Sequence, residues 1–124
     1  KLITVSVTGA KQRDDARGIV KQVLDSPLVK TAIHGEDPNW GRIVAAVGKN
    51  PDHFVDMTQL CVSLQGVSLF YKGQPTDLSR EDVAPFLKQK AIDIQVELGV
   101  GDYDAIGWGC DLSKEYVAIN TEYT

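Results

Sequence analysis

The chain has 124 residues, of which 43% are hydrophobic and 24% charged, a composition that fits one soluble folded domain and is too apolar for disorder. Thirteen basic against seventeen acidic residues leave a net charge of −4, which argues against a phosphate-tracking nucleic-acid surface and against docking on anionic lipid. No apolar run approaches the ~20 residues of a membrane span.

Residues 1–8 alternate, with Ile3, Val5 and Val7 on one side and Thr4, Ser6 and Thr8 on the other. That period predicts a half-buried strand closed by Gly9. The start at Lys1, inside this strand and without Met, points to a processed chain or a piece of a longer one. From Lys11 to Leu24 the period lengthens, and Ala16, Ile19, Val20, Val23 and Leu24 share one helical face. Ser26-Pro27 ends that helix, and residues 28–33 predict a short second one stopping near Gly35. Asp37-Pro38 reads as the start of a third, with Asp37 as cap and Pro38 in the first helical position. Trp40, Ile43, Val44 and Val47 form its apolar stripe, and Gly48 its terminator.

Val62 and Leu64, then Val67, Leu69 and Tyr71, are strand patterns of opposite parity joined at Gln65-Gly66, which predicts a tight hairpin or a bulge. Ser79 and Asp82 make a variant capping box for a helix carrying Val83, Phe86 and Leu87, bent or delayed by Pro85. Ile92, Ile94, Val96 and Leu98 alternate with Asp93, Gln95 and Glu97 as the clearest strand. Gly99 and Gly101 mark a turn, residues 105–110 the next strand, and Ser113 opens a short capped segment ending near Asn120. Taken alone, Asn120 reads as a helix C-terminal residue. The class is α+β, with five or so strands and three or four helices.

Few residues advertise chemistry. There is no G-x-S-x-G elbow. His34 and His53 stand nineteen positions apart in different elements and read as surface or capping residues. Cys61 and Cys110, with no C-x-x-C pair, leave a structural zinc site without its donors, so free thiols in a reduced intracellular compartment are expected. The Gly99-Val100-Gly101 and Gly107-Trp108-Gly109 triplets lack the strand–loop–helix context of a phosphate loop and read as turns or close backbone approaches. Asp93 and Glu97, four positions apart on one strand face, are ~13 Å from each other. That exceeds the ~5–9.5 Å of paired glycosidase carboxyls, so they read as a solvated face.

The stretch from His34 to Arg42 is denser, packing acids, an amide, an indole and a guanidinium around one predicted helix N-terminus. Such an end suits a carboxylate, from a side chain or from a ligand. Asp37, Asn39 and Arg42 read as groups that satisfy one another and the cap; the competing reading has Glu36 and Arg42 reach a ligand.

Ser26-Pro27-Leu28-Val29-Lys30-Thr31-Ala32, then Gly35-Glu36-Asp37-Pro38-Asn39-Trp40-Gly41-Arg42-Ile43 and Ala45-Ala46-Val47-Gly48, resemble the ornithine acetyltransferase family, also known as bifunctional glutamate N-acetyltransferase/amino-acid acetyltransferase. The opening strand ending Val7-Thr8-Gly9-Ala10 is similar too, as is the tail with Trp108-Gly109-Cys110-Asp111-Leu112-Ser113, Tyr116-Val117, Ile119-Asn120 and Tyr123. The resemblance runs end to end in one order, and the Pro-Asn-Trp-Gly-Arg block is its most specific part.

The resemblance implies a ubiquitin-like α/β roll, a mixed sheet with helices packed on one face, forming residues 1–124 as the single C-terminal domain of the family's β chain. It also implies a precursor that cuts itself before a threonine, which then takes acetyl from N2-acetylornithine, releases L-ornithine and passes acetyl to L-glutamate. A threonine whose own α-amine serves as base needs no separate histidine. The seven threonines here include none at the start of the chain, and no Ala-Thr cleavage pair occurs. The nucleophile and most substrate contacts, including an acidic residue just before Lys1, are thus expected upstream, with no catalytic residue in this piece and no activity from it alone.

The substrate contacts carried over to this chain are Asn120, whose amide can donate to a carboxylate and accept from an ammonium, and Thr124. The tail is one residue shorter than the family's usual ending, so either Thr124 or a following residue supplies the terminal hydroxyl. No metal and no cofactor are implied, although many members accept acetyl-CoA as co-substrate. The expected partners are the α chain and the rest of the β chain, in a heterotetramer of two α and two β chains. The expected location is the bacterial or archaeal cytoplasm, or the mitochondrial matrix for a fungal version. The competing reading from another class is a stand-alone amino-acid-binding or protein-interaction module without catalysis.

Overall fold

The alternating opening segment becomes strand β1, Leu2–Ala10, and the long amphipathic stretch becomes helix α1, Arg13–Asp25. Pro27–His34 (α2) and Trp40–Val47 (α3) follow, then strands β2 (Cys61–Leu64), β3 (Val67–Tyr71) and β4 (Gln74–Pro75). Arg80–Val83 (α4) runs into a 3-10 segment, Ala84–Lys88, and strands β5 (Ala91–Glu97), β6 (Tyr103–Cys110) and β7 (Ala118–Asn120) complete the order. The computed structural model describes residues 1–111 and 118–120.

Among the described residues seven strands form one mixed sheet in the order β4-β3-β2-β5-β1-β6-β7. At its centre β1 runs parallel to β5, with Val5 beside Ile94 and Val7 beside Val96, and antiparallel to β6. A parallel pair needs a long crossover between its strands, and here α1 to α3 and the β2–β3 hairpin supply it. Ile3, Val5, Val7, Ile92, Ile94 and Val96 are buried on one face, whereas Asp93, Gln95 and Glu97 are exposed on the other. The helices therefore lie against a single face, as expected of an α/β roll. The buried residues of β6 on that face are Ala105, Gly107 and Gly109, register partners of Val7, Val5 and Ile3. Small side chains there let α1 sit directly over β1 and β6. This is the close-approach role read for the second glycine triplet.

The first triplet is the β5–β6 turn, tucked under the bulged end of β1. Gly9 has φ +72, and a Cβ on Gly101 would lie 2.2 Å from the Ala10 carbonyl oxygen. Gln65 and Gly66 both have positive φ (52 and 77), which closes the β2–β3 hairpin as a tight turn and explains the change of parity.

Several boundaries differ from the sequence reading. The third helix starts at Trp40 and is capped by Asn39, not Asp37, and Pro38 lies before it. Ser26 caps α2 with Pro27 in its first turn, so Ser26-Pro27 both ends one helix and begins the next. The Ser79–Asp82 capping box forms, but α4 lasts only four residues before Pro85 forces the tighter 3-10 segment. The change of period keeps Val83 and Leu87 buried and turns Phe86 outward, 50% exposed. Strand β4, two residues on an edge, is too short to show a period. Asn120 is not a helix end: Ala118–Asn120 pairs with the open edge of β6, Asn120 beside Ile106. Residues 112–117 and 121–124, which include Ser113 and Thr124, lie outside the described residues.

Candidate functional site

The dense segment builds a joint between helix ends. Asn39 Oδ1 accepts from the Arg42 backbone N–H at 3.1 Å, the capping bond of α3, while Asn39 Nδ2 donates to Asp37 Oδ2 at 3.3 Å. An aspartate in the same place could only accept, so the amide does two jobs that a carboxylate cannot. Asp37 Oδ1 is buried with no hydrogen bond, and the Arg80 Nε lies 3.4 Å from it as an ion-pair partner. Arg80 opens α4, so the Asp37–Arg80 pair joins the N-terminal ends of two helices distant in sequence. Arg42 turns its guanidinium to the Leu28 carbonyl oxygen (2.9 Å), and Glu36 lies 3.6 Å from Lys1 Nζ. The mutual-satisfaction reading thus holds for Asp37, Asn39 and the Arg42 backbone, whereas the Arg42 guanidinium and Glu36 are engaged elsewhere in the chain.

Trp40 stacks on Phe70 of β3, with ring centroids 5.1 Å apart and planes 24° from parallel. Together with Asn39, Leu69, Leu78, Arg80 and Val83 it lines a cleft of about 180 Å³. The cleft offers an indole face and a guanidinium but no nucleophile, and it is below the ~300 Å³ of ordinary ligand pockets. Arg80 had no sequence signal, because only folding brings it to the motif.

A second cluster gathers where β1 begins and β6 ends. Asp111, whose side chain is fully buried, accepts from the Lys1 main-chain nitrogen at 2.5 Å through Oδ1, and His34 Nδ1 lies 3.3 Å from Oδ2. Lys1 Nζ donates to the carbonyl oxygens of Leu87 and Gln89. The other histidine, His53, meets Asp15 through Nδ1 at 3.2 Å. Neither pairing is visible in the sequence, since each joins residues far apart in the chain.

Of the two expected substrate contacts, Asn120 takes its backbone place on β7, and Thr124 lies outside the described residues. The fold does not bring the Pro-Asn-Trp-Gly-Arg block and Asn120 together. The block leans on β3, and β2, β5, β1 and β6 stand between β3 and β7. At the ~4.8 Å spacing of paired strands this is roughly 24 Å. Among the described residues no group of three or more His, Cys, Asp or Glu could hold a metal ion, Cys61 and Cys110 are free, and no helix is long and apolar enough to cross a membrane.

Comparison with known proteins matches these features as a set. The ArgJ family profile matches residues 1–124. The chain is 45% identical over its full length to the arginine biosynthesis bifunctional protein ArgJ of Dehalococcoides mccartyi, and 43% identical over 99% of its length to the protein of that name from Bacillus cereus. In both cases it spans only 30% of the relative's length. A crystal structure of the arginine biosynthesis bifunctional protein ArgJ from Bacillus halodurans superposes with a TM-score of 0.85 at 37% identity, covering 94% of this chain and 55% of that one. With one family matched from end to end, in sequence and in fold, the chain belongs to the ArgJ family.

Proposed function

We propose that the chain is the C-terminal part of an acetyltransferase of arginine biosynthesis that carries acetyl from N2-acetylornithine to L-glutamate. The observation that carries this reading is the full-length match to relatives named for arginine biosynthesis, of which the chain spans about three tenths. The nucleophile is a threonine upstream of Lys1, freed by self-cleavage. Its hydroxyl attacks the acetyl carbonyl while its own amine takes the proton. Ornithine leaves, and the glutamate amine then attacks the acetyl-threonine ester and restores the hydroxyl. Two half-reactions through one covalent intermediate predict ping-pong kinetics.

In this reading the chain contributes scaffold and one wall of the substrate site. Asn120 hydrogen-bonds the amino-acid substrate, and Thr124 or a following residue supplies a hydroxyl. No cofactor takes part, and acetyl-CoA serves as an alternative acetyl donor where the upstream residues admit it. The α chain and the remainder of the β chain complete the site in a cytoplasmic heterotetramer.

Co-expression of the chain with the upstream part of its gene, followed by gel filtration and an ornithine-release assay, tests this. A stable complex that transfers acetyl, beside an inactive isolated chain, is the expected result. Transfer of acetyl by the isolated chain, or an inert monomer that binds amino acids unaided, overturns it.

A further inference from the structure

The described helices cover one face of the sheet, and the other face is left to its own side chains. Alternation puts Thr4, Ser6 and Thr8 of β1 and Asp93, Gln95 and Glu97 of β5 on that helix-free face. None of these six side chains makes a hydrogen bond or ion pair among the described residues. On the helical side, by contrast, Asp15, Gln22, Asp37 and Arg42 all have partners within the chain. Beside the hydroxyls of β1 the helix-free face turns apolar. Ile106 and Trp108 of β6, register partners of Ser6 and Thr4, are only partly buried, and Leu2, next to Lys1, is 46% exposed. Solvation accounts for the polar row on β5. It does not account for an indole and two aliphatic side chains on the side away from the helices.

What covers this face follows from the row in which residue 120 falls. One register row runs from Asn120 through Ile106, Ser6 and Gln95 to Ser63. Opposed residues of an antiparallel pair share a face, so position 120 belongs to the helix-free face with Ile106. In the proposed function, on which this inference rests, the substrate lies at Asn120 and the nucleophile on the upstream part of the protein. The relatives are about three times as long as this chain, so that upstream part is about twice its size. A compact body of such a length has a radius of gyration of about 19 Å. Gln95 stands three strands from β7, about 14 Å away at the spacing of paired strands. A body that brings its threonine to residue 120 over the sheet therefore spreads across Gln95. The helical side is closed to it by α1, which packs on β1 and β6. Its connection, at Lys1, lies beside the exposed Leu2 and at the Trp108 end of β1.

We propose that the helix-free face, from β7 across to β5, is the docking surface for the upstream part of the same protein, with Leu2, Ile106 and Trp108 as its apolar contacts. The test places a thiol on each side of the sheet in the complete protein, expressed from its whole gene. Gln95→Cys probes the docking face, and Leu28→Cys, at a position 60% exposed on the helical side, is the reference. Maleimide labelling is followed by mass spectrometry of the peptide that carries each site. In the native protein Gln95→Cys should label at least tenfold more slowly than Leu28→Cys, and the two should label alike in urea. Equal rates in the native protein overturn the surface. Protection of Gln95→Cys in a dimer of this chain expressed without the upstream part assigns the face to a second copy and overturns it too. Acetyl transfer, assayed on the same preparations, judges the proposed function separately: protection without transfer upholds the surface and overturns that reading, whereas transfer with equal labelling does the reverse.

Discussion

Asn39 is where a single side chain decides a helix start. Its carbonyl oxygen caps α3 and its amide nitrogen bonds Asp37, so Asn39→Ala removes a cap and deprives a half-buried carboxylate of its donor. Losing a cap costs about 1 kcal/mol, and the unpaired carboxylate adds to it, so denaturant unfolding should show a loss of about 1–2 kcal/mol. Asn39→Asp should recover only part, because it keeps the acceptor and sets one carboxylate against another. Asp37 followed by proline is the stronger local signal, yet Asp37 lies two residues too early because Pro38 sits in a tight turn before the helix, closed by the Asn39 N–H on the Asp37 carbonyl oxygen at 2.8 Å, and its carboxylate is drawn to Arg80. That attraction comes from residues far along the chain, which is why the cap could not be read locally.

Between elements, a close-packed joint lies where the end of β1 meets the β5–β6 turn. Val100 N–H donates to the Gly9 carbonyl oxygen at 2.9 Å, and Gly9 N–H to Asp104 Oδ1 at 3.0 Å. A methyl on Gly101 would stand 2.2 Å from the Ala10 carbonyl oxygen, and backbone cannot swing aside as a side chain can. Gly101→Ala should therefore cost about 1–3 kcal/mol, seen as a lowered urea midpoint. A variant as stable as the native chain would mean that the joint is looser than drawn. The same scale shows what the sequence made legible. Strands with one buried face, such as β1 and β5, were readable because alternation is the direct trace of burial, and α1 because its stripe is long. The β2–β3 turn was readable from Gln65-Gly66. The two-residue β4 was not, since it exists only as a partner for β3. Phe86 misled because its helical spacing is real until Pro85 changes the period. Strand β7 was hidden because its pairing is decided by a free edge on β6, which no local pattern records.

For the whole molecule, the separation of the Trp40 cleft from β7 sorts the motifs. The Pro-Asn-Trp-Gly-Arg block is the part of the sequence most easily recognised, and in the fold it ties α3, α4 and β3 together. Conspicuous residues and reacting residues need not coincide, because a joint of capped helix ends constrains sequence as tightly as a ligand does. The block and Asn120 should therefore respond differently in the complete enzyme. Under the proposed function, Asn120→Ala removes one buried polar partner of the substrate, worth about 1–3 kcal/mol. That corresponds to a fall in kcat/KM of about five- to 150-fold, with the unfolding midpoint unchanged if the amide serves the substrate and not the fold. Asn39→Ala should do the reverse, lowering the midpoint while kcat/KM per folded molecule stays within about twofold. Steady-state kinetics and thermal unfolding on the same two variants separate the roles. If Asn39→Ala lowers kcat/KM as deeply as Asn120→Ala in fully folded enzyme, the block belongs to the substrate site, and a rearrangement must then close the roughly 24 Å between β3 and β7.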